Sequence, residues 1–177
     1  MAVKQTSDER RDQVIEAAVK EFAANGFHAT STSAIAKRAG ISQPYIYALF
    51  PNKRELFLAA DRHVVDRIRH AFLDASRGKD STEERLEAMG HAYLELLANR
   101  DEIRFQMQAH AAAGNRELAE PIRKDFTGLW DDVKRMSGAS DEQMFEFMGK
   151  GMLLNVVASL ELEGEFVPTE REVPAAR

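Results

Sequence analysis

The side chains of this 177-residue chain that could carry covalent chemistry are few and dispersed. There is no cysteine, which removes disulfides, thiolate metal sites and cysteine nucleophiles. The 5 histidines, at positions 28, 63, 70, 91 and 110, show no metal-ligating spacing beyond the row Asp66, His70, Asp74, which reads as a solvated helix face. Gly-x-Ser-x-Gly, a phosphate loop and His-Glu-x-x-His are all missing, and the carboxylates fall mostly on polar helix faces. The chain is therefore expected to be no enzyme and to need no cofactor. Its chemistry is that of binding. In Asn52-Lys53-Arg54-Glu55 an N-cap residue precedes a glutamate in capping-box register. Two cations then occupy a helix N-terminus, where the macrodipole disfavours positive charge. A nearby anion resolves the conflict, and a DNA phosphate is the natural candidate.

The elements that must position these cations lie just before them, from Ser31 to Lys53. Ala36, Gly40 and Ile46 have the spacing of a helix-turn-helix. Ala36 is small where two backbones approach, Gly40 ends the first helix where a positive φ is needed, and Ile46 packs the second helix back onto the first. Ser31 suits the N-cap of the first helix, and Ser42 suits that of the second, with Pro44 in its first turn. The second helix must finish by about Phe50, because Pro51 disfavours helical geometry before it.

An overall charge of −5 looks wrong for a nucleic-acid binder until it is divided. Residues 1–74 hold 11 Lys and Arg against 9 Asp and Glu, a net of +2, whereas residues 75–177 hold 13 against 20, a net of −7. The basic part could face phosphate and the acidic part would face away. Hydrophobic residues make up 44% of the chain, enough for a core of one or two small domains. No apolar run reaches membrane-spanning length, and Met1 to Ser7 lacks the apolar core of a signal peptide, so a cytoplasmic protein is expected.

Every segment has helical period and none alternates like a strand, so the expected fold class is all-α. Ser7 or Asp8 caps a helix that ends at Asn25-Gly26, with Ile15, Val19 and Phe22 on one stripe. A longer helix from Asn52 to about Asp74 carries Leu56, Ala60, Val64 and Ile68. Four more follow: Ser81 to Leu97, Asp101 to Ala113, Arg116 to Met136 with an irregular first turn at Pro121, and Asp141 to Leu162. The expected division is a helix-turn-helix domain over 1–52, a linking helix over 53–75, a second helical domain over 76–163 and a poorly ordered tail over 164–177.

Residues 8–57 resemble the N-terminal domain of the tetracycline-repressor (TetR) family of bacterial transcriptional regulators. The matching residues are Phe22, Gly26-Phe27, Ala29-Thr30-Ser31, Ile35-Ala36, Ala39-Gly40-Ile41-Ser42, Ile46-Tyr47, Leu49-Phe50 and Asn52 through Phe57. The resemblance implies a homodimer that binds a palindromic double-stranded DNA operator and is released from it by a small-molecule effector. It also implies dimerisation through the last two long helices, here Arg116 to Met136 and Asp141 to Leu162. Activation by ligand, or protein interaction alone, are the alternatives. Carried over by position, the DNA-facing residues are Thr30, Ser31, Ser33, Ser42, Gln43, Pro44, Tyr45, Tyr47 and Lys53. The hydroxyls of Thr30, Ser31, Ser42 and Tyr47, with Lys53, suit phosphate oxygens and set register. Gln43 suits an adenine edge, and Pro44 and Tyr45 suit thymine methyl groups.

The second domain is expected to hold an adaptable apolar pocket lined by Met89, Tyr93, Phe105, Met107, His110, Phe126, Trp130, Met148 and Met152, fitted to a lipophilic effector. Arg104, His110 and Asn155 are its candidate polar anchors. Gly149, Gly151, Ala158 and Ser159 would let helices of two protomers approach, with Met152, Leu153, Val156, Val157 and Leu160 supplying apolar area.

Overall fold

A computed structural model describes residues 6–162, and these residues form eight α-helices with no strand among them. In order they are α1 (Ser7–Ala29), α2 (Thr32–Arg38), α3 (Gln43–Leu49), α4 (Lys53–Ser76), α5 (Thr82–Leu96), α6 (Arg100–Ala112), α7 (Arg116–Ser137) and α8 (Asp141–Ser159). The all-α architecture agrees with the helical period of the sequence. The expected tail over 164–177 lies outside the described residues.

The helix ends follow from local chemistry. The Thr6 side chain accepts from the Glu9 amide while the Glu9 carboxylate accepts from the Thr6 amide, so Thr6, not Ser7 or Asp8, caps α1. Ser81 with Glu84 and Ser140 with Gln143 close α5 and α8 in the same way. After α2 the Gly40 amide donates to Lys37 and the Ile41 amide to Ala36, a Schellman closure that requires the positive φ of 65° at Gly40. Gly26 breaks the helical path of α1 at φ 69°, and a Cβ there would come 2.8 Å from Gln108 Oε1. The positive φ is what calls for glycine here, since the Gln108 side chain could swing away from a Cβ.

Packing joins the two halves of the molecule. Val14, Ala18 and Phe22 of α1 are buried with Ile35, Ala36, Ile46 and Phe50 to form the small N-terminal core. α4, 24 residues and roughly 36 Å long at 1.5 Å per residue, runs from that core into the second half and packs on α1, α5, α6 and α7. α1 packs on α6 more extensively than on any other helix. At this junction Phe57 of α4 meets Phe22 edge-on at 4.8 Å, Phe27 at 5.1 Å and Phe105 of α6 at 5.3 Å. A polar tie runs beside it: His63 Nε2 lies 3.0 Å from Glu16 of α1, and Arg67 Nη1 donates to the buried Glu102 of α6 at 2.5 Å.

Pro121 does not disrupt α7, contrary to the irregular first turn expected of it; the helix is continuous from Arg116. Proline has no N–H to give the carbonyl four residues back, which is that of Glu117. Arg54 Nε donates to this carbonyl at 3.1 Å. The first turn of α4 therefore fills a hydrogen-bond vacancy that Pro121 creates in α7. Arg54→Ala is expected to lower stability by about 1–2 kcal/mol in urea denaturation, and by less than half of that in a Pro121→Ala background, where the new amide can bond Glu117 itself. Equal losses in both backgrounds would show the two residues to be independent.

Candidate functional sites: an exposed helix face and an apolar cavity

α3 is anchored by Ile46, with Leu49 half-buried beside it, and presents its other side chains outward. Ile46 is 1% exposed, whereas Tyr45 is 38% and Tyr47 48% exposed, and Ser42, Gln43, Pro44 and Ala48 are exposed with them. The helix is held by polar contacts at its ends. Arg11 of α1 donates to the Leu49 carbonyl at 2.9 Å and lies over the Phe50 ring at 4.2 Å, placing a cation at the helix C-terminus, where the dipole favours it. Gln13 likewise donates to the Ala39 carbonyl at the end of α2.

The expected DNA-facing residues divide into three groups. Ser31, Ser33, Ser42, Gln43, Pro44, Tyr45 and Tyr47 share the exposed surface of α2 and α3. Ser31 also accepts from the Ala34 amide, while Ser42 stands at the N-cap of α3 without a side-chain cap bond, so its hydroxyl is uncommitted. Thr30 is not on this face: it is 3% exposed, and its hydroxyl lies 2.7 Å from the Gly26 carbonyl and 3.1 Å from that of Glu21, so it ties down the end of α1. Lys53 is half-buried; its ammonium donates to the carbonyls of His28 and Thr30 and sits 4.7 Å from the centre of the Phe27 ring. These partners answer the charge conflict at the start of α4 without a phosphate.

Thr32 escaped the sequence reading. It is 6% exposed, its Oγ1 accepts from Gln43 Nε2 at 2.8 Å, and it lies 3.0 Å from Tyr47 Oη. One buried hydroxyl of α2 therefore orients two outward side chains of α3. Its neighbours Ser31 and Ser33 carry the more obvious polar signal, and only the α2–α3 crossing makes Thr32 the hub.

In the second half, α4 to α8 enclose an open apolar cavity of about 780 Å³, within the size range of small-molecule sites. Tyr93, His110, Phe126, Trp130, Met148 and Met152 line it. Met89, Phe105 and Met107 do not: Met89 and Phe105 are fully buried, and Phe105 packs toward Phe22 and Phe57 in the junction. Of the candidate anchors, Arg104 pairs with Glu161 at 2.8 Å away from the cavity, and Asn155 Oδ1 accepts from Tyr93 Oη at 2.6 Å within its wall. The polar residue that sequence reasoning missed is Asp61, 5% exposed and part of the lining. It occupies the helical row of Val65, Ile68 and Phe72, where an apolar side chain would continue the stripe. That break was a readable signal. Burial first, and the charge of Asp125 second, push its pKa from the usual 3.8 up to about 7, against a smaller lowering by Arg62.

Three comparisons bear on these sites. Residues 14–60 match the family described as bacterial regulatory proteins, tetR family. The chain is 37% identical over 90 residues to the HTH-type transcriptional activator FasR of Mycolicibacterium smegmatis, covering 51% of this chain and 41% of FasR. It is 28% identical over 116 residues to the fatty acid metabolism regulator protein of Bacillus subtilis, covering 66% and 60%. The matched stretches thus span less than two thirds of these curated relatives. A crystal structure of a TetR family transcription regulator from Marinobacter aquaeolei superposes with a TM-score of 0.71 at 26% identity, covering 93% of this chain and 89% of that one.

The raised pKa of Asp61 sets a pH dependence. Below about pH 4 both the folded and unfolded chains hold its proton; between there and about 7 only the folded chain does, so its contribution to stability is lost as pH rises through that window. At about 1.4 kcal/mol per pH unit the full loss is on the order of 4 kcal/mol. Asp61→Asn is expected to be more stable than the native chain at pH 8 by about 1–3 kcal/mol in urea denaturation, with the difference closing toward pH 5. A difference independent of pH would remove Asp61 ionisation as its cause.

Proposed function

The chain belongs to the TetR family of bacterial regulatory proteins, and from that premise we propose that it is a homodimeric, ligand-responsive transcriptional repressor. In this reading α3 enters the major groove of a palindromic operator, and a small lipophilic effector in the cavity releases the protein from DNA. The observation that carries it is the outward polar face of α3, fixed from behind by Ile46, Thr32 and Arg11. A core helix would bury its tyrosines, whereas here both stand exposed beside Gln43. Gln43 reads an adenine edge once it leaves Thr32, Pro44 and Tyr45 pack on thymine methyls, and Ser31, Ser33, Ser42 and Tyr47 meet phosphate. Lys53 orders the α1–α2 connection and offers its remaining N–H to the backbone.

The second copy is proposed to dock on α8. Phe145, Leu153, Val156 and Leu160 are 78%, 59%, 42% and 62% exposed and recur at helical spacing, with Gly149 open between them. α7 adds Phe126, 38% exposed at the open side of the cavity. Val157 and Ala158, expected at the interface, are buried within the protomer. We divide the chain as a DNA-binding part over 1–52, the linking helix over 53–75 and a ligand-binding and dimerising part over 76–163. No helix among the described residues is long and apolar enough to cross a membrane, and a cytoplasmic site of action is part of the proposal.

Release follows from a population shift. The dimer holds its two α3 helices about one DNA turn, roughly 34–36 Å, apart. The cavity is walled by α4 and α6, and both pack on α1, so an effector that fits a different spacing of these helices disfavours the DNA-bound form. Coupling of about 1–3 kcal/mol weakens operator binding several-fold to about a hundredfold. The cavity suits an alkyl chain, and the Bacillus subtilis relative is named for fatty acid metabolism.

Fluorescence anisotropy on a duplex recovered from random DNA by binding selection tests the reading. Binding is expected to be strongly salt-dependent, near −0.9 in log–log slope per phosphate neutralised. Gln43→Ala is expected to lose about 1–3 kcal/mol on the selected site and little on random DNA. No duplex affinity at all would leave the helix-turn-helix to protein contacts, and an equal loss on both DNAs would remove Gln43 from base reading. Leu153→Glu is expected to sediment as a monomer; a dimer unchanged by it would place the interface elsewhere.

A further inference from the structure

Among the described residues Asp61 has neither a hydrogen-bond nor an ion-pair partner, although it is 5% exposed and faces an apolar cavity. A carboxylate in that position is costly unless something supplies a donor. The protein does not supply one from the facing helix. Asp125 of α7 adds a like charge, and its own Oδ2 is buried without a partner. Arg62, next to Asp61 on α4, is exposed. The other carboxylates of the lining, Glu83, Glu87 and Glu146, stand against one lysine, Lys150, which is paired with Glu146 at 2.6 Å, and His91, Tyr93 and His110 are the remaining titratable residues there. An anionic head group therefore meets repulsion at the mouth and again at Asp61, while a cation is favoured at both.

We propose that the effector is a cationic amphiphile, an alkyl or aryl body bearing a protonated amine, and that Asp61 receives the amine. This deepens the reading of the cavity as the effector site and rests on it. The apolar walls take the body, and Asp61 forms a charge-assisted hydrogen bond that the empty cavity cannot offer it. The position has a mechanical consequence. Asp61 is the lining residue of α4 nearest to α3 in the chain, one turn beyond Phe57 and its aromatic contacts. A head group held there sits beside the junction that carries the DNA-binding helices.

The single tryptophan, Trp130, lines the cavity and reports its occupancy by fluorescence. Decylamine, decanol and decanoate, matched in chain length and kept below their micelle thresholds at pH 8, separate the head group from the chain. The native protein is expected to bind decylamine about tenfold or more tighter than decanol, and decanoate more weakly than decanol. In Asp61→Asn most of the amine's advantage over the alcohol is expected to be lost. Decanoate binding as tightly as the amine to the native protein, which needs no variant to fold, would overturn the proposal, as would an amine advantage undiminished in Asp61→Asn. If decanol binds and the amine gains nothing, the cavity reading stands and the cation inference fails. If none of the three binds, both fall.

Discussion

The constraint on which the rest of the structure depends is the stacking of Phe22, Phe27, Phe57 and Phe105 where α1, α4 and α6 meet. Three ring pairs centred on Phe57 lie within 5.3 Å, and Phe22, Phe57 and Phe105 are fully buried. Such contacts are short-ranged and geometrically specific, so one ring cannot shift without the others. α1 packs most extensively on α6, a wall of the cavity. The two candidate sites thus share structural members.

Polar contacts make this junction directional. Glu16, His63, Arg67 and Glu102 tie α1, α4 and α6 on one side, and Arg54 joins the start of α4 to the carbonyl that Pro121 leaves open in α7. In the proposed mechanism a displacement of α6 or α7 around a ligand would reach the first turn of α4, where Lys53 holds the connection into α2. Thr32 completes the chain of contacts by orienting Gln43 and Tyr47. The proposed coupling would run through this contiguous packing, with no element required to unfold.

Much of this was legible where the cause is local. The Schellman closure at Gly40, the caps at Ser31, Asn52, Ser81 and Ser140, and the outward setting of Tyr45 follow from residue type and spacing over a few positions. What sequence reading missed depends on distant partners. Thr30 looks like a phosphate contact until the fold-back of Gly26 buries it, Phe105 looks like a pocket wall until α1 covers it, and Pro121 looks disruptive until Arg54 arrives from 67 residues before it in the chain. Asp61 is the intermediate case. Its break in the apolar row was visible in the sequence, but its solitude is visible only in the fold.

In the proposed mechanism, filling the cavity changes the separation of the two α3 helices. The chain has no cysteine, so Ala48→Cys, on the exposed face of α3, places one spin label per protomer. Pulsed dipolar spectroscopy then measures the distance between labels in the dimer before and after decylamine saturates the Trp130 signal. A distance shifted by several ångströms, away from that of the operator-bound dimer, is the expected result. An unchanged distance with the cavity filled would contradict the claim.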